Sequence, residues 1–198
     1  KKIALHNESE AMAVTEDFAK QALTVASVRR SERRRKPAAP FTTSSLQQDA
    51  ARKLGFTSRK TMMLAQQLYE GIELGRHGST GLITYMRTDS TRISELAQQE
   101  AKSFLLEAFG PEFVPEKANV YVTGKKAQDA HEAIRPTSLV HTPDSLEKYL
   151  NKDQLKLYTL VWQRFAASQM TPAIYDTMAI AIKAGDRYDL RANGSRLK

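Results

Sequence analysis

An α+β fold is expected from these 198 residues, with a mostly helical middle section set between two β-rich ends. Three observations predict it. Apolar residues recur at helical spacing in the middle, as in Leu155, Leu157, Leu160, Val161, Phe165 and Met170. Strand formers cluster at the two ends, with Leu23, Val25 and Val28 on one side and Ile174, Thr177, Ile180 and Ile182 on the other. Prolines mark both junctions, at Pro37, Pro40 and Pro172. The two ends match each other better than either matches the middle. Residues 1–39 and 172–198 are therefore expected to form one discontinuous, partial β domain, and residues 40–171 a helical domain inserted into it.

The elements follow in order. Lys2 to Leu5 reads as a short strand, and Ala11, Val14, Phe18 and Ala22 place a helix over Glu8–Lys20. A strand from Leu23 runs into the basic stretch Arg29–Lys36, which either tracks a DNA backbone or is simply solvated. Thr43 or Ser44 can cap a helix reaching Leu54 with Gly55 as its stop, and Ser58 can cap another through Tyr69. Met62, Met63, Leu64 and Leu68 are expected to pack that second helix into the core, and Trp162 to do likewise from its own helix. Gly71, Gly75, Gly78 and Gly81 suggest a flexible loop before a short strand, Leu82 to Met86. A helix over Ser94–Phe109 stops at Gly110-Pro111. Pro143 fits a first helical turn, a long helix follows Asn151, and a Gly185-Asp186 turn leads to a return strand over Arg187–Leu190.

Lys and Arg number 30 against 22 Asp and Glu, a formal charge of +8 that favours a polyanionic partner. With no cysteine, disulfides and thiolate metal sites are excluded, and a reducing, cytoplasmic setting fits. No apolar run approaches the roughly 20 residues that span a bilayer, so no membrane partner is expected. The sequence does not begin with Met and closes without an obvious terminal element, which suggests a piece of a longer chain.

Chemistry concentrates around Tyr85. In a strand, Tyr85 and Arg87 would leave the same face of the backbone. A tyrosine hydroxyl can attack a phosphodiester once its proton is removed or its developing phenolate stabilised, because a free tyrosine with a pKa near 10 holds little phenolate at neutral pH. The permanently charged fork of an arginine matches phosphate oxygens and stabilises charge in the transition state. A lone Tyr-x-Arg carries little weight, since seven tyrosines are present and most such pairs are structural. Two other patterns fail. His131-Glu132-Ala133-Ile134-Arg135 has Arg where a zinc helix needs its second His, and Gly124-Lys125-Lys126 lacks both the upstream Gly and the Ser or Thr of a phosphate loop.

The longer blocks decide. Ile83-Thr-Tyr-Met-Arg-Thr-Asp-Ser-Thr91 resembles the active-site signature of type IA DNA topoisomerases. Pro40-Phe-Thr-Thr-Ser-Ser-Leu-Gln-Gln48 with Leu54-Gly-Phe56 and Lys60-Thr-Met-Met63, then Gln128-Asp-Ala-His-Glu-Ala-Ile-Arg-Pro136, then Gln169-Met-Thr-Pro172, are similar to further blocks of that family and stand in its order. Met86 between Tyr85 and Arg87 resembles the bacterial relaxing enzymes, whereas decatenating relatives more often carry Pro there. Reverse gyrase would add a helicase that is not present in this sequence.

The resemblance implies a specific chemistry. Tyr85 would be the nucleophile that becomes 5′-phosphotyrosyl, Arg87 would position the phosphate, and His131, Arg135, Thr88 and Asp89 would lie along the bound DNA. One strand would be cut, another passed and the cut resealed without ATP, relaxing negative supercoils. The implied partner is single-stranded or negatively supercoiled DNA, bound by a monomer. The implied Mg²⁺ would sit on the carboxylates of a Toprim domain that is not part of this sequence, leaving no metal ligands here and a piece that does not cleave by itself. The fold would be part of the type IA torus. A non-catalytic single-strand-binding module, with tyrosine stacked on a base and arginine on phosphate, is the alternative. A tyrosine recombinase would instead leave its tyrosine on the 3′ phosphate.

Overall fold

The computed structural model describes residues 3–75, 78–121 and 131–198. Two compact units divide the chain, one formed by Lys1–Arg35 with Pro172–Lys198 and the other by Lys36–Thr171. Helices and small antiparallel sheets together make the fold α+β.

The first unit carries α1 (Glu8–Ala19) and a three-stranded antiparallel sheet in the order β1 (Leu23–Arg35), β4 (Ala173–Ala184), β5 (Tyr188–Leu197). Asn7 caps α1 by accepting the Glu10 N–H. Ile3–Leu5, expected as a strand, has no regular structure and no ladder partner among the described residues. The β5 strand runs to Leu197, well beyond the short return segment the turn residues suggested, because pairing with β4 from Tyr188 to Leu197 satisfies its backbone along the whole length. A bulge between Val25 and Ser27 shifts the β1 register by one residue.

The second unit is helical. Its members are α2 (Thr43–Leu54), α3 (Ser58–Glu70), α4 (Glu95–Phe109), α5 (Pro143–Leu146) and α6 (Lys152–Ser168). The caps are one residue earlier than expected at two starts. Thr42 caps α2 in a reciprocal box with Ser45, and Thr57 caps α3, since each takes the extended backbone that frees its hydroxyl to accept an N–H of the first turn. Gly55 ends α2 in the left-handed conformation. Asn151 and Gln154 form a second reciprocal box at the start of α6.

One core joins Phe41, Leu46, Leu64, Leu68, Leu82, Ile83, Ile134, Leu157, Tyr158 and Val161, and a smaller one lies between α4 and Phe165. Two anchors stiffen it. The Tyr158 hydroxyl donates to the His141 carbonyl at 2.6 Å, and the Trp162 indole N–H to that of Leu139 at 3.1 Å. Met62 is partly buried against the core, but Met63 is exposed, because at its position on α3 it faces away from the Leu64 and Leu68 side. The glycine-rich stretch is not a plain loop. It holds a tight hairpin, β2 (Ile72–Glu73) paired with β3 (Ser79–Thr80). Among the described residues, no helix is long and apolar enough to cross a membrane.

Candidate active site

The segment after β3 does not form the strand its residues favour. Only Ile83 makes a bridge, to Pro136, and Tyr85–Arg87 belong to no ladder. Its period of two nevertheless persists: Met86, Thr88 and Ser90 are buried while Tyr85, Arg87 and Asp89 are exposed. An extended chain throws alternate side chains to opposite sides whether or not it pairs. Tyr85 and Arg87 thus open to the same cleft.

Three separate elements hold that backbone. Gly81 passes so close to the end of α3 that a Cβ there would stand 2.7 Å from the Tyr69 carbonyl oxygen, and the Leu82 N–H donates to the Leu68 carbonyl at 2.7 Å. Thr84 is tied to the segment 131–137: its N–H donates to the Arg135 carbonyl at 2.9 Å, and its hydroxyl donates to the Ala133 carbonyl at 2.7 Å while accepting the Arg135 N–H at 3.0 Å. Thr43, the first residue of α2, straddles Arg87. Its hydroxyl donates to the Met86 carbonyl at 2.7 Å and accepts the Thr88 N–H at 2.9 Å, while its own N–H donates to the Thr88 carbonyl at 2.8 Å.

These anchors shape a cleft of about 580 Å³ lined by Tyr85, Arg87, Thr88, Asp89 and His131, with Thr42, Thr43, Ser44 and Gln47 of the α2 start as its other wall. The Tyr85 ring lies between two others, His131 at 5.4 Å and tilted by 39°, and Tyr69 at 5.5 Å edge to face. Tyr85 keeps 38% of its surface open to solvent. Arg87 has no ion-pair partner among the described residues, so its guanidinium is available to an incoming anion. The Thr88 hydroxyl accepts the Ser90 N–H at 3.0 Å and fixes the turn that follows.

Arg135 is not brought into the cleft. Its guanidinium grips the Glu132 carboxylate at 2.6 and 3.0 Å and the Pro136 carbonyl at 3.0 Å, behind His131. Glu132 also accepts the Ser94 N–H at 2.6 Å. Burial works against its charge, but the Ser94 and Arg135 hydrogen bonds outweigh burial and hold the carboxyl below its ordinary range. The pair positions the loop carrying His131.

Behind the α2 wall, Asp49 is buried and ion-paired to Arg52, Lys53 and Arg164, the last reaching over from α6 and lying 4.4 Å over the Phe41 ring. Desolvation raises the Asp49 pKa, yet the Lys53 and Arg164 contacts prevail and depress it. Sequence reasoning missed two residues of the site, Thr43 as a clamp and Tyr69 as a ring partner. Thr43 read only as a possible cap and Tyr69 only as a helix end, and neither spacing nor composition signals a contact made across 16 or more positions. Gln128-Asp-Ala of the third block, and Gly124-Lys125-Lys126, lie outside the described residues. No group of three or more His, Cys, Asp or Glu able to hold a metal ion occurs among the described residues.

The family model described as DNA topoisomerase matches residues 1–198. Full-length topoisomerase I from Thermotoga maritima is 45% identical in sequence and superposes with a TM-score of 0.78, the match covering 95% of this chain and 30% of that one. This chain thus spans under a third of the length of that relative. A match over its whole length, together with a close structural likeness to a bacterial topoisomerase I, makes this chain a member of the DNA topoisomerase family, in its bacterial type IA branch.

Proposed function

We propose that these residues supply the nucleophile and the phosphate clamp of a type IA DNA topoisomerase. The observation that carries this reading is the single open cleft in which Tyr85, Arg87 and His131 meet on a backbone pinned from three sides. The Tyr85 hydroxyl attacks the phosphorus of one DNA strand. A tyrosyl–phosphate bond forms, the bond from phosphorus to the 3′ oxygen breaks, and the freed 3′ oxygen takes a proton. Arg87 neutralises the phosphate oxygens during the exchange. His131, in contact with the Tyr85 ring, is the nearest imidazole able to hold the tyrosine proton or the neighbouring phosphate. One phosphodiester replaces another of similar energy, so resealing runs the same steps backwards without ATP, and a strand passed in between relaxes negative supercoils.

The Mg²⁺ implied by the family finds no matching carboxylate set among the described residues. The reading includes a cytoplasmic, monomeric protein acting on single-stranded or negatively supercoiled DNA, and a 198-residue piece that does not cleave until joined to the domains it lacks. The test replaces the matching stretch of Thermotoga maritima topoisomerase I with these residues and offers single-stranded oligonucleotides labelled at either end. A denaturation-resistant adduct carrying the 3′-end label is expected, and it disappears with Tyr85→Phe. An adduct that survives Tyr85→Phe, or one carrying the 5′-end label, overturns the assignment. Retained DNA binding with no adduct would favour a non-catalytic single-strand-binding module instead.

A further inference from the structure

The sheet of the first unit sorts its charges by face. Pairing fixes which side chains share a side, because directly opposed residues in a ladder point the same way. On one face lie Arg30, Met178 and Gly194, then Glu32, Asp176 and Arg196, then Arg34 and Ile174. Every carboxylate of this part of the sheet is on that face, and so are the ion pairs: Arg34 with Glu32, Arg196 with Asp176 and Lys198 with Glu32. Toward its other end the face is apolar, with Val28, Ile180, Ile182 and Leu190, and Tyr188 there meets Phe18 and Asp17 of α1.

The opposite face is different. Its rows are Ser27, Ala181 and Arg191; Arg29, Ala179 and Asn193; Ser31, Thr177 and Ser195; Arg33, Tyr175 and Leu197; and Arg35 with Ala173. Over these rows it bears four arginines and no acid, and Asp189 enters only beyond them, opposite Lys183. None of Arg29, Arg33, Arg35 or Arg191 has an ion-pair partner among the described residues. The relief is also distinct. Ala179 and Ala181 of the central strand form a low floor, with Arg29 on one side and Arg191 on the other, in an open groove of about 430 Å³ that Lys183 and Asp189 also line. Outer strands stand roughly 9–10 Å apart across a central one.

We propose that this arginine-lined face binds the sugar–phosphate backbone of DNA, as a contact separate from the Tyr85 cleft. Four guanidiniums without a carboxylate partner among the described residues, one of them (Arg191) donating to Asn193, are poorly suited to burial against protein but match a polyanion. Along β1 the side chains of this face recur every ~7 Å, two residues of strand, which is about twice the ~3.4 Å axial spacing of phosphates along one duplex strand. Hydroxyls of Ser27 and Ser195 add donors suited to phosphate oxygens, whereas the Ser31 and Thr177 hydroxyls are engaged with each other and with the Ser31 carbonyl. Tyr175 is the lone aromatic of these rows, so the face reads backbone and not stacked bases.

The test titrates the 198-residue chain against a short, blunt, fluorescein-labelled DNA duplex by anisotropy at several salt concentrations. The variant Arg29→Gln/Arg33→Gln/Arg191→Gln is compared with Arg30→Gln/Arg34→Gln/Arg196→Gln, which removes the same three charges from the other face. The first is expected to bind at least about tenfold more weakly and to lower the slope of log affinity against log salt by roughly 2–3, while the second changes affinity less than about twofold. The charge-retaining triple Arg29→Lys/Arg33→Lys/Arg191→Lys should stay within about threefold of the parent, which separates lost contacts from a lost fold. Equal losses from both Gln triples, no loss from the first, a Lys triple as weak as the Gln triple, or no duplex binding by the parent at low salt would each overturn the proposal.

Discussion

Replacing Thr43 by valine keeps the shape of the side chain and removes only the hydroxyl that joins α2 to the residues on either side of Arg87. The hydroxyl's contacts are lost, its proton shared between the Met86 carbonyl at 2.7 Å and the Thr88 carbonyl at 3.0 Å and its oxygen accepting the Thr88 N–H at 2.9 Å, while the backbone bond from Thr43 to Thr88 at 2.8 Å survives. A typical bond contributes about 1 kcal/mol net, and water can partly replace it at this partly buried position, so the expected loss is about 1.5 kcal/mol. For a chain of this size that corresponds to a melting temperature lower by roughly 3–6 °C. Thr43→Ser keeps the hydroxyl and should recover more than half of the loss. Amide exchange gives the local readout, with the Thr88 N–H losing protection in the valine variant and not in the serine one. In the full-length chimera the adduct yield should fall roughly tenfold with valine, since Arg87 sits between the two released anchors and catalysis is sensitive to displacements of about an ångström. Unchanged melting together with an unchanged Thr88 amide would refute the idea that this hydroxyl clamps the segment.

Gly81→Ala should cost about 1–3 kcal/mol in urea denaturation, because its methyl would meet the rigid Tyr69 carbonyl at 2.7 Å and push the segment off the end of α3. Asp49 and Glu132 both have folded-state pKa values below their ordinary 3.8 and 4.5, so their contributions are present above those values and are lost as pH falls through the folded ones. Urea midpoints should therefore be flat near neutrality and decline in acid, with Asp49→Asn and Glu132→Gln each less stable at neutral pH and less sensitive to acid. Tyr158→Phe leaves the ring in the core but strands the His141 carbonyl, with an expected loss of about 1 kcal/mol by chemical denaturation.

The helices of the second unit were legible because their ends are local chemistry. A hydroxyl or amide before the first turn and glycine after the last act through contacts three or four residues apart; α2, α3 and α4 carry both signals and α6 carries the first. Only the choice between adjacent hydroxyls at Thr42 and Thr57 was lost, since both neighbours have capping chemistry. The Leu82–Met86 segment failed for the opposite reason. Its composition favours an extended chain, but whether such a chain becomes a strand depends on a partner edge; its partners are single atoms of α2, α3 and residues 133–137, and it bends at Met86 and Arg87. The inference that needed only alternation survived, since Tyr85 and Arg87 do open to one cleft. Arg135 lies in a family signature, and its fork holds Glu132 three residues earlier, a contact the motif by itself does not announce.

Pinning the Tyr85 segment with hooks from three elements has a mechanical consequence that a ladder would not. In a sheet each residue's position is fixed by its immediate neighbour, and a local change stays local. Here the start of the segment rests on the end of α3, Thr84 on residues 133 and 135, and Met86 and Thr88 on the first turn of α2. The angle between Tyr85 and Arg87 is then set by the relative placement of those three supports. The support from α2 depends in turn on the Thr42–Ser45 box at its start and on Asp49, which ties its middle to α6 through Arg164. A substitution at Asp49, which does not line the cleft, should therefore disturb the site more than its loss of stability alone would suggest. Side chains that line the cleft without bearing on the segment backbone, such as Gln47, should matter chiefly for what binds there.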